Sequence, residues 1–535
     1  VVDAAERPIS IERAAFAAPR VGFSIGLSLA GLSKVEPGSA VVALIIATAI
    51  FRVGLAGAFG LGSDESYSVA NSRFLDWSYV DYPPLHVWLT AAWVWLAHSD
   101  HPTIVRLPFI ALFAGSTWLM YRLSARLFGA RAGLWAALLL NLAPVYAVPH
   151  SSWVLPDGPL TFFMLACATV MANLLFEPLK PSRAVSGWLL AGLLAGLAML
   201  SKYHGAFLIA GTFVFLLTWP PGRRHLASPG PWLAAAIAIA LFAPVIVWNV
   251  QHGAAGLLFQ SDRVTAGFHP SLSRLAANLM GQAAYLSPWL FAPLIVVWVR
   301  ALRQGPRAPQ SWYLALLASG PIVFFTAAAA LVHSLPHWPM PGWLFVFPLL
   351  GAEAARWERK RPKLVLTAAA ASAAIVAVTA AGIANEAANG WAARLMPASM
   401  ARNDPTLDLL DWSEAATVIK ERHLLADNTK AVAGTRWFEA GKLNYVIGRQ
   451  APVLCLCANP QEFRFLHNSA GYAGQDVLVI GASRGPRGEP LARWFDRIEP
   501  LAPIMLHRDG AAAMELSVFR GVGFRPGVTQ PARRR

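Results

Sequence analysis

"SAVVALIIATAIFRVGLAGAFGLGSDESYSVAN", residues 39–71, joins an apolar run to two adjacent acids, Asp64 and Glu65. The run from 39 to 60 is long enough to cross a bilayer as a helix, which takes about 20 apolar residues. Ten more runs of similar character follow, at about 102–124, 131–149, 158–176, 187–201, 203–220, 231–250, 279–300, 311–333, 339–355 and 363–385. The chain of 535 residues is 56% hydrophobic and only 14% charged, more apolar than one soluble core would bury. The pattern predicts a polytopic α-helical membrane protein with about eleven transmembrane helices.

A net charge of +15 would suit nucleic acid if it formed one patch, so its placement decides its meaning. Basic residues crowd the loops at 122–131, 180–183, 223–224, 300–307 and 356–363. The alternate loops hold only Arg73, Lys202, Arg263 and Arg274. By the positive-inside rule the crowded loops are cytoplasmic, as is the tail 1–38 with Arg7, Arg13, Arg20 and Lys34. Topology therefore accounts for the basic surplus without nucleic acid, and an odd span count leaves the C-terminus outside. Acids run the other way: Asp64, Glu65, Asp76, Asp81, Asp100, Asp157 and Asp262 all fall on the outer side. Orientation rules say little about acids, so that bias asks for a functional reason.

The segment "PPLHVWLTAAWVWLAH", 83–98, would invert every later loop if it crossed. It reads as a helix lying at the outer interface, a depth suited to Trp88, Trp93 and Trp95. Tyr67, Ala70, Phe74 and Trp77 recur at helical spacing and predict a second interfacial helix, ending near the paired prolines. Beyond 386, strand-like runs such as "KAVAGT", "APVLCLC" and "QDVLVIG" alternate with helical stretches. The division expected is a cytoplasmic tail 1–38, a transmembrane domain 39–385 and an external α/β domain 386–535.

On that topology, Asp64 stands just above the membrane as a general base for an incoming hydroxyl. Glu65 has an even claim to a plainer role, as a first-turn acid complementing the dipole of a helix capped by Ser63. Asp157, between Pro156 and Gly158, reads as the N-cap of the next span with a possible second role in the site. Lys202 and His204 in "SKYHG" end two short spans, where a lysine either snorkels to headgroups or binds an anion. Arg263 and Arg274 offer similar chemistry, unless Arg263 pairs with Asp262. His333 and His337 lack acidic or cysteine partners at a metal-binding spacing, so their Pro- and Trp-rich loop reads as a rigid aromatic rim. Neither a metal nor another cofactor is expected. Cys455 and Cys457 are expected as free thiols on one strand face, and "GASRG", 481–485, as a strand-end turn.

Taken in order, "SDESYSVANSRFLDWSYVDYPPL", "PDGPLTFF", "SKYHGAFL", "HWPMPGWL" and "RNDPTLDLLDW" resemble the bacterial glycosyltransferases of the GT-C fold. Those enzymes are related to the aminoarabinose transferase of lipid A and to protein O-mannosyltransferases. The resemblance implies an inverting transferase of the inner membrane that takes its sugar from a polyprenyl-phosphate donor. It assigns Asp64, Glu65 and Asp157 to catalysis and Lys202, with Arg263, Tyr82 and His337, to the donor and its phosphate. The acceptor would be lipid A, another envelope glycolipid or a protein. Tyr82 stands where the aminoarabinose transferases carry lysine, so the resemblance does not bring their sugar with it. The rival class, a transporter of lipid-linked glycans, predicts midplane charges or repeats, and the runs show almost no acids and no repeat.

Overall fold

The computed structural model describes residues 36–178, 180–265, 269–425, 428–482 and 491–526. The basic tail, apart from its last residues, and positions 483–485 of "GASRG" lie outside the described residues. The first long helix, α1, spans Pro37–Ala56. Two short helices follow, α2 (Ser63–Asn71) and α3 (Leu85–Ala97). The body continues through α4 (Pro102–Phe128), α5 (Ala130–Leu142), α6 (Asp157–Phe176), α7 (Pro181–Ser201), α8 (Gly205–Thr218) and α9 (Pro229–Gln251). After α10 (Ala255–Thr265) come α11 (Leu272–Leu286), α12 (Pro288–Gln304), α13 (Pro309–Ala329), α14 (Phe347–Lys360) and α15 (Pro362–Asn389). Proline opens most of the long helices, where its missing N–H has no intrahelical partner to lose and its fixed φ suits the first turn.

Among the described residues, seven helices are long and apolar enough to cross a membrane: α1, α4, α6, α7, α9, α13 and α15. The count rises to nine if two bent pairs are each one span. One is α5 with the turns up to Ser152, bent by 86° before Pro144, and the other is α11 with the helix from Pro288, bent by 105°. Every apolar run read from the sequence falls on helix, but α8 has only 14 residues. The run at 339–355 is divided into a turn of helix at Met340–Trp343, a 3-10 turn and α14, with prolines at 339, 341 and 348. These two runs separate the expected eleven from nine, and the two bent pairs separate nine from seven.

Close helix packing is built on small residues. A Cβ on Gly192 of α7 would stand 2.5 Å from the Ala234 carbonyl of α9, and one on Gly351 of α14 would stand 2.6 Å from that of Ala132 in α5. Between the helices lies one large apolar core containing Phe113, Tyr146, Met164, Phe215, Tyr313 and Phe347. Arg52, buried in α1, is held there by the Ala147 carbonyl, Ser151 Oγ and Asn141 Oδ1 at 2.7–3.0 Å.

Helix α2 stops at Asn71, short of the expected Trp77. The backbone beyond is committed elsewhere: Tyr79 Oη donates to the Phe74 carbonyl and accepts from the Asp76 amide, and Trp88 Nε1 donates to the Asp76 carbonyl. At the other end α15 runs four residues past 385, to Gly390, whose φ of +65° ends it.

The C-terminal part contains α16 (Ser413–Glu421), α17 (Trp437–Ile447) and a five-stranded sheet. Its strands are β1 (Thr429–Gly434), β2 (Val453–Cys455), β3 (Asp476–Ala482), β4 (Phe495–Arg508) and β5 (Ala511–Phe524). In the order β2-β1-β3-β5-β4, the first three are parallel and the last two antiparallel to their neighbours. The expectation of free thiols fails here: Cys455 and Cys457 form a disulfide, with Cα atoms 5.6 Å apart. Strand β2 ends at Cys455, so the two residues do not share an extended face. Cys167, buried in α6, is a free thiol.

This part packs on the segment between α1 and α4. Tyr67 of α2 contacts the rings of Trp437 and Phe463, and its Oη accepts from the Glu462 amide at 3.1 Å. Arg73 donates to the carbonyls of Asn444 and Tyr445. Lys442 Nζ, buried in α17, reaches the carbonyls of Leu61, Asp408 and Leu410, tying the chain before α2 to the turn at Pro405–Leu409.

Candidate active site

The two opening acids have opposite surroundings. Glu65 lies in a fully buried ion pair with Arg106 of α4, at 2.8 Å from Nε and 2.6 Å from Nη2. The same guanidinium donates to the carbonyls of Ala56, Phe59 and Gly60, which uses all five of its N–H groups. Glu65 in turn accepts from the amides of Gly62 and Val154. The Gly62 bond is the return half of a capping box, so the N-cap is Gly62 rather than the expected Ser63. With both oxygens doubly engaged, Glu65 joins α1, α2, α4 and the segment before α6 and has no lone pair left for a substrate.

Asp64 points the other way. Its side chain is exposed, and among the described residues its carboxylate has no hydrogen-bond partner. Although the side chain stays open to solvent, desolvation by the protein around it, with Asp408, Glu65 and Asp157 adding negative charge against Arg263, pushes it up to about 6. The carboxyl is thus ionised at neutral pH yet more basic than a surface aspartate.

Asp157 begins α6, with Pro156 as its N-cap, and its carboxylate caps no backbone amide. Instead both oxygens meet Lys202 Nζ, at 2.9 and 3.1 Å, with His150 Nε2 3.5 Å away. Both partners are buried, in a desolvated pair between the starts of α6 and α8. His204 and His337 lie within electrostatic reach of this pair. The imidazole of His204 stacks on Phe325 at 4.6 Å, and its buried Nε2 has no partner.

A third group comes from the loops. Arg263 of α10 stacks over Phe259 at 4.5 Å and faces Trp338 at 6.0 Å, and among the described residues no carboxylate pairs with it. It does not form the pair with Asp262 that the sequence left open. Gln260 Nε2 donates to the Asp81 carbonyl at 2.7 Å, fixing α10 to the loop that carries Tyr82. Tyr82 meets His86 edge-on at 5.5 Å, and its hydroxyl has no partner among the described residues. Burial holds that phenol well above the usual tyrosine range, with Asp64 and Asp81 reinforcing it, so it is a neutral donor. Burial also pushes Asp81, which accepts from Tyr67 Oη at 3.1 Å, up to about 7.

Beside this cluster opens a cavity of about 770 Å³, walled mainly by apolar side chains such as Phe59, Trp153, Tyr285, Val376 and Ile383, with Asp408 at its edge. Among the described residues no group of three or more His, Cys, Asp or Glu is arranged to hold a metal ion.

Asp64, Tyr82, Asp157, Lys202, Arg263 and His337 are therefore gathered within electrostatic reach of one another, while Glu65 is drawn into a buried ion pair beside them. The sequence reading missed Arg106, His150 and Asp408. Arg106 carried a usable signal, a lone charge inside an apolar run, which must find a buried partner. Asp408 carried none, because its neighbour is 345 positions away.

Residues 81–248 match the family described as dolichyl-phosphate-mannose-protein mannosyltransferase. The chain is 24% identical over 282 residues to the lipid A galacturonosyltransferase RgtD of Rhizobium johnstonii, covering 52% of this chain and 58% of that protein. It is 26% identical over 289 residues to the undecaprenyl phosphate-alpha-4-amino-4-deoxy-L-arabinose arabinosyl transferase of Erwinia tasmaniensis, covering 50% and 48%. The chain thus spans about half the length of these curated relatives. Its structure superposes on that of ArnT from Cupriavidus metallidurans bound to undecaprenyl phosphate with a TM-score of 0.61 and 16% identity, over 92% of this chain and 99% of that one. The fold is of the GT-C type.

Proposed function

We propose that this GT-C protein is an inverting glycosyltransferase that moves a sugar from a polyprenyl-phosphate donor to an envelope glycolipid. The observation that carries the reading is Asp64: an ionised carboxylate with no hydrogen-bond partner among the described residues, within electrostatic reach of Arg263, with which no described carboxylate pairs, and next to charges such as Glu65 and Asp157 that are paired. In the reaction, Asp64 takes the proton of an acceptor hydroxyl as the hydroxyl oxygen bonds to the anomeric carbon. The bond from that carbon to phosphate breaks on the opposite face, and its electron pair leaves on the phosphate oxygen. Arg263 faces the charge that grows there, and Tyr82 donates a hydrogen bond. The Asp157–Lys202 pair holds the wall, with one ammonium N–H left to turn toward the phosphate.

The apolar cavity beside Asp64 and Asp408 favours a lipid-anchored acceptor such as lipid A over a protein. Protein mannosyl transfer is the second reading, prompted by the match over 81–248. The proposed setting is the bacterial inner membrane, with the cleft and the C-terminal domain on the periplasmic side. Oxidising surroundings of that kind suit the Cys455–Cys457 disulfide.

The test is mass spectrometry of envelope glycolipids and secreted proteins from cells with and without the gene, and with Asp64→Asn. Loss of one sugar from a glycolipid, unrestored by D64N, is the expected result. The variant should fold normally and transfer sugar about 10²- to 10⁴-fold more slowly. Transfer by D64N at the parental rate would end the proposal.

A further inference from the structure

We infer that Asp408, on a turn outside the helical body, is a positioning residue that sets the proton affinity of Asp64. The inference rests on the transferase reading for its purpose, though not for its measurement. The turn Pro405–Leu409 presents the Asp408 carboxylate to the first residue of α2, where Oδ2 accepts from the Ser63 amide at 3.2 Å and Oδ1 from the Ser63 hydroxyl. It thus supplies in trans a hydrogen bond to the start of the helix, which Gly62 has no side chain to provide. Lys442 clamps the arrangement by binding the Leu61 and Asp408 carbonyls together. Space is tight as well: a Cβ on Gly60 would stand 3.0 Å from the Leu409 carbonyl, and one on Gly62 would stand 3.2 Å from Asp408 Oδ2. The turn cannot drift without moving α2.

Such bonding holds the Asp408 carboxylate on the residue that precedes Asp64, and of the two carboxylates only Asp408 is hydrogen-bonded among the described residues. Asp408 accepts from both Ser63 donors, and Asp64 has no hydrogen-bond donor among the described residues. The fixed anion therefore works on the free one. The other charges facing Asp64 are Glu65 next to it, Asp81 from the loop before α3, Asp157 from α6 and Arg263 from α10. Glu65 is paired with Arg106 and Asp157 with Lys202; Asp408 has no salt bridge among the described residues, though the buried Lys442 lies within electrostatic reach of it, and Arg263 is the cation opposing it at Asp64. When donor phosphate engages Arg263, that opposition weakens and Asp408 raises the proton affinity of Asp64 further, at the moment a base is needed.

The test is pH-dependent carbodiimide labelling of Asp64, which reacts only when protonated, on the full-length protein in detergent, read by peptide mass spectrometry. The parental midpoint is expected near 6. Asp408→Asn keeps an acceptor for Ser63 but removes the charge, and should lower the midpoint by about one pH unit. Ser63→Ala keeps the charge and should leave the midpoint high. Should D408N misfold, Asp408→Ser carries the same expectation. In transfer assays the acid limb of kcat/KM should shift by the same amount, since Asp64 must be ionised to act and activity is lost as pH falls through its pKa. An unchanged midpoint in a folded neutral variant overturns the inference. A protein that labels as expected but moves no sugar overturns the transferase reading instead.

Discussion

The wall of the cleft and its mouth handle charge in opposite ways. In the wall, Glu65 and Arg106 use every donor and acceptor they possess on each other and on nearby backbone. At the mouth, Asp64, Tyr82 and Arg263 keep theirs free among the described residues. One peptide bond separates the two regimes, because successive residues of a helix are about 100° apart around its axis. The difference teaches which charges maintain shape and which are available for chemistry. A buried polar group without a partner costs stability, so a site retains open ones only where a ligand completes them.

The sharpest way to break the comparison is to open the wall. Glu65→Gln leaves the Arg106 guanidinium buried without its counter-ion, a change that costs about 3–5 kcal/mol. Thermal unfolding in detergent should show a large loss of stability, with activity falling as the fold does. D64N should do the reverse, losing activity while melting as the parent does. If E65Q melted normally and failed only in turnover, Glu65 would belong with Asp64 and the division would be wrong.

At the mouth the next largest effect is expected from Arg263→Ala. Removing a preorganised cation from the leaving phosphate should lower kcat/KM by about 10²-fold, with little change in stability since Arg263 stacks on rings rather than pairing with an acid. Lysine at 263 should restore part of the rate but lose the stacking. A drop in stability instead would place Arg263 with the wall.

How far each region was legible follows from the range of its interactions. The spans were legible because a bilayer imposes length and apolarity on contiguous residues, as in α1 or α6, and Asp64 was legible as an acid on the loop after a span. Boundaries such as the end of α2 at Asn71 were not, because side chains of Tyr79 and Trp88 from further along decide them. For Glu65 the sequence left a catalytic and a plain first-turn role equally open, since the deciding partner, Arg106, is 41 residues away in another helix. The Asp157–Lys202 pair was hidden in the same way: each residue suggested a separate role, and only the meeting of α6 with α8 shows that they neutralise each other.

The smallest effect separates Tyr82 from both groups. Its phenol is unpartnered like the mouth residues, but it carries no charge, because burial beside Asp64 and Asp81 opposes ionisation. Tyr82→Phe removes one neutral donor and leaves the ring against His86 in place. The loss should be about 0.5–1.5 kcal/mol, or about 2- to 10-fold, and should appear in the KM for the donor if the hydroxyl meets the phosphate before reaction. Lysine at 82 adds a cation next to Asp64 and should move the acid limb of the rate to lower pH, whereas phenylalanine should leave the limb in place. A Y82F protein with an altered acid limb would mean that Tyr82 bonds Asp64 during turnover, and would move it from the donor's side of the cleft to the base's.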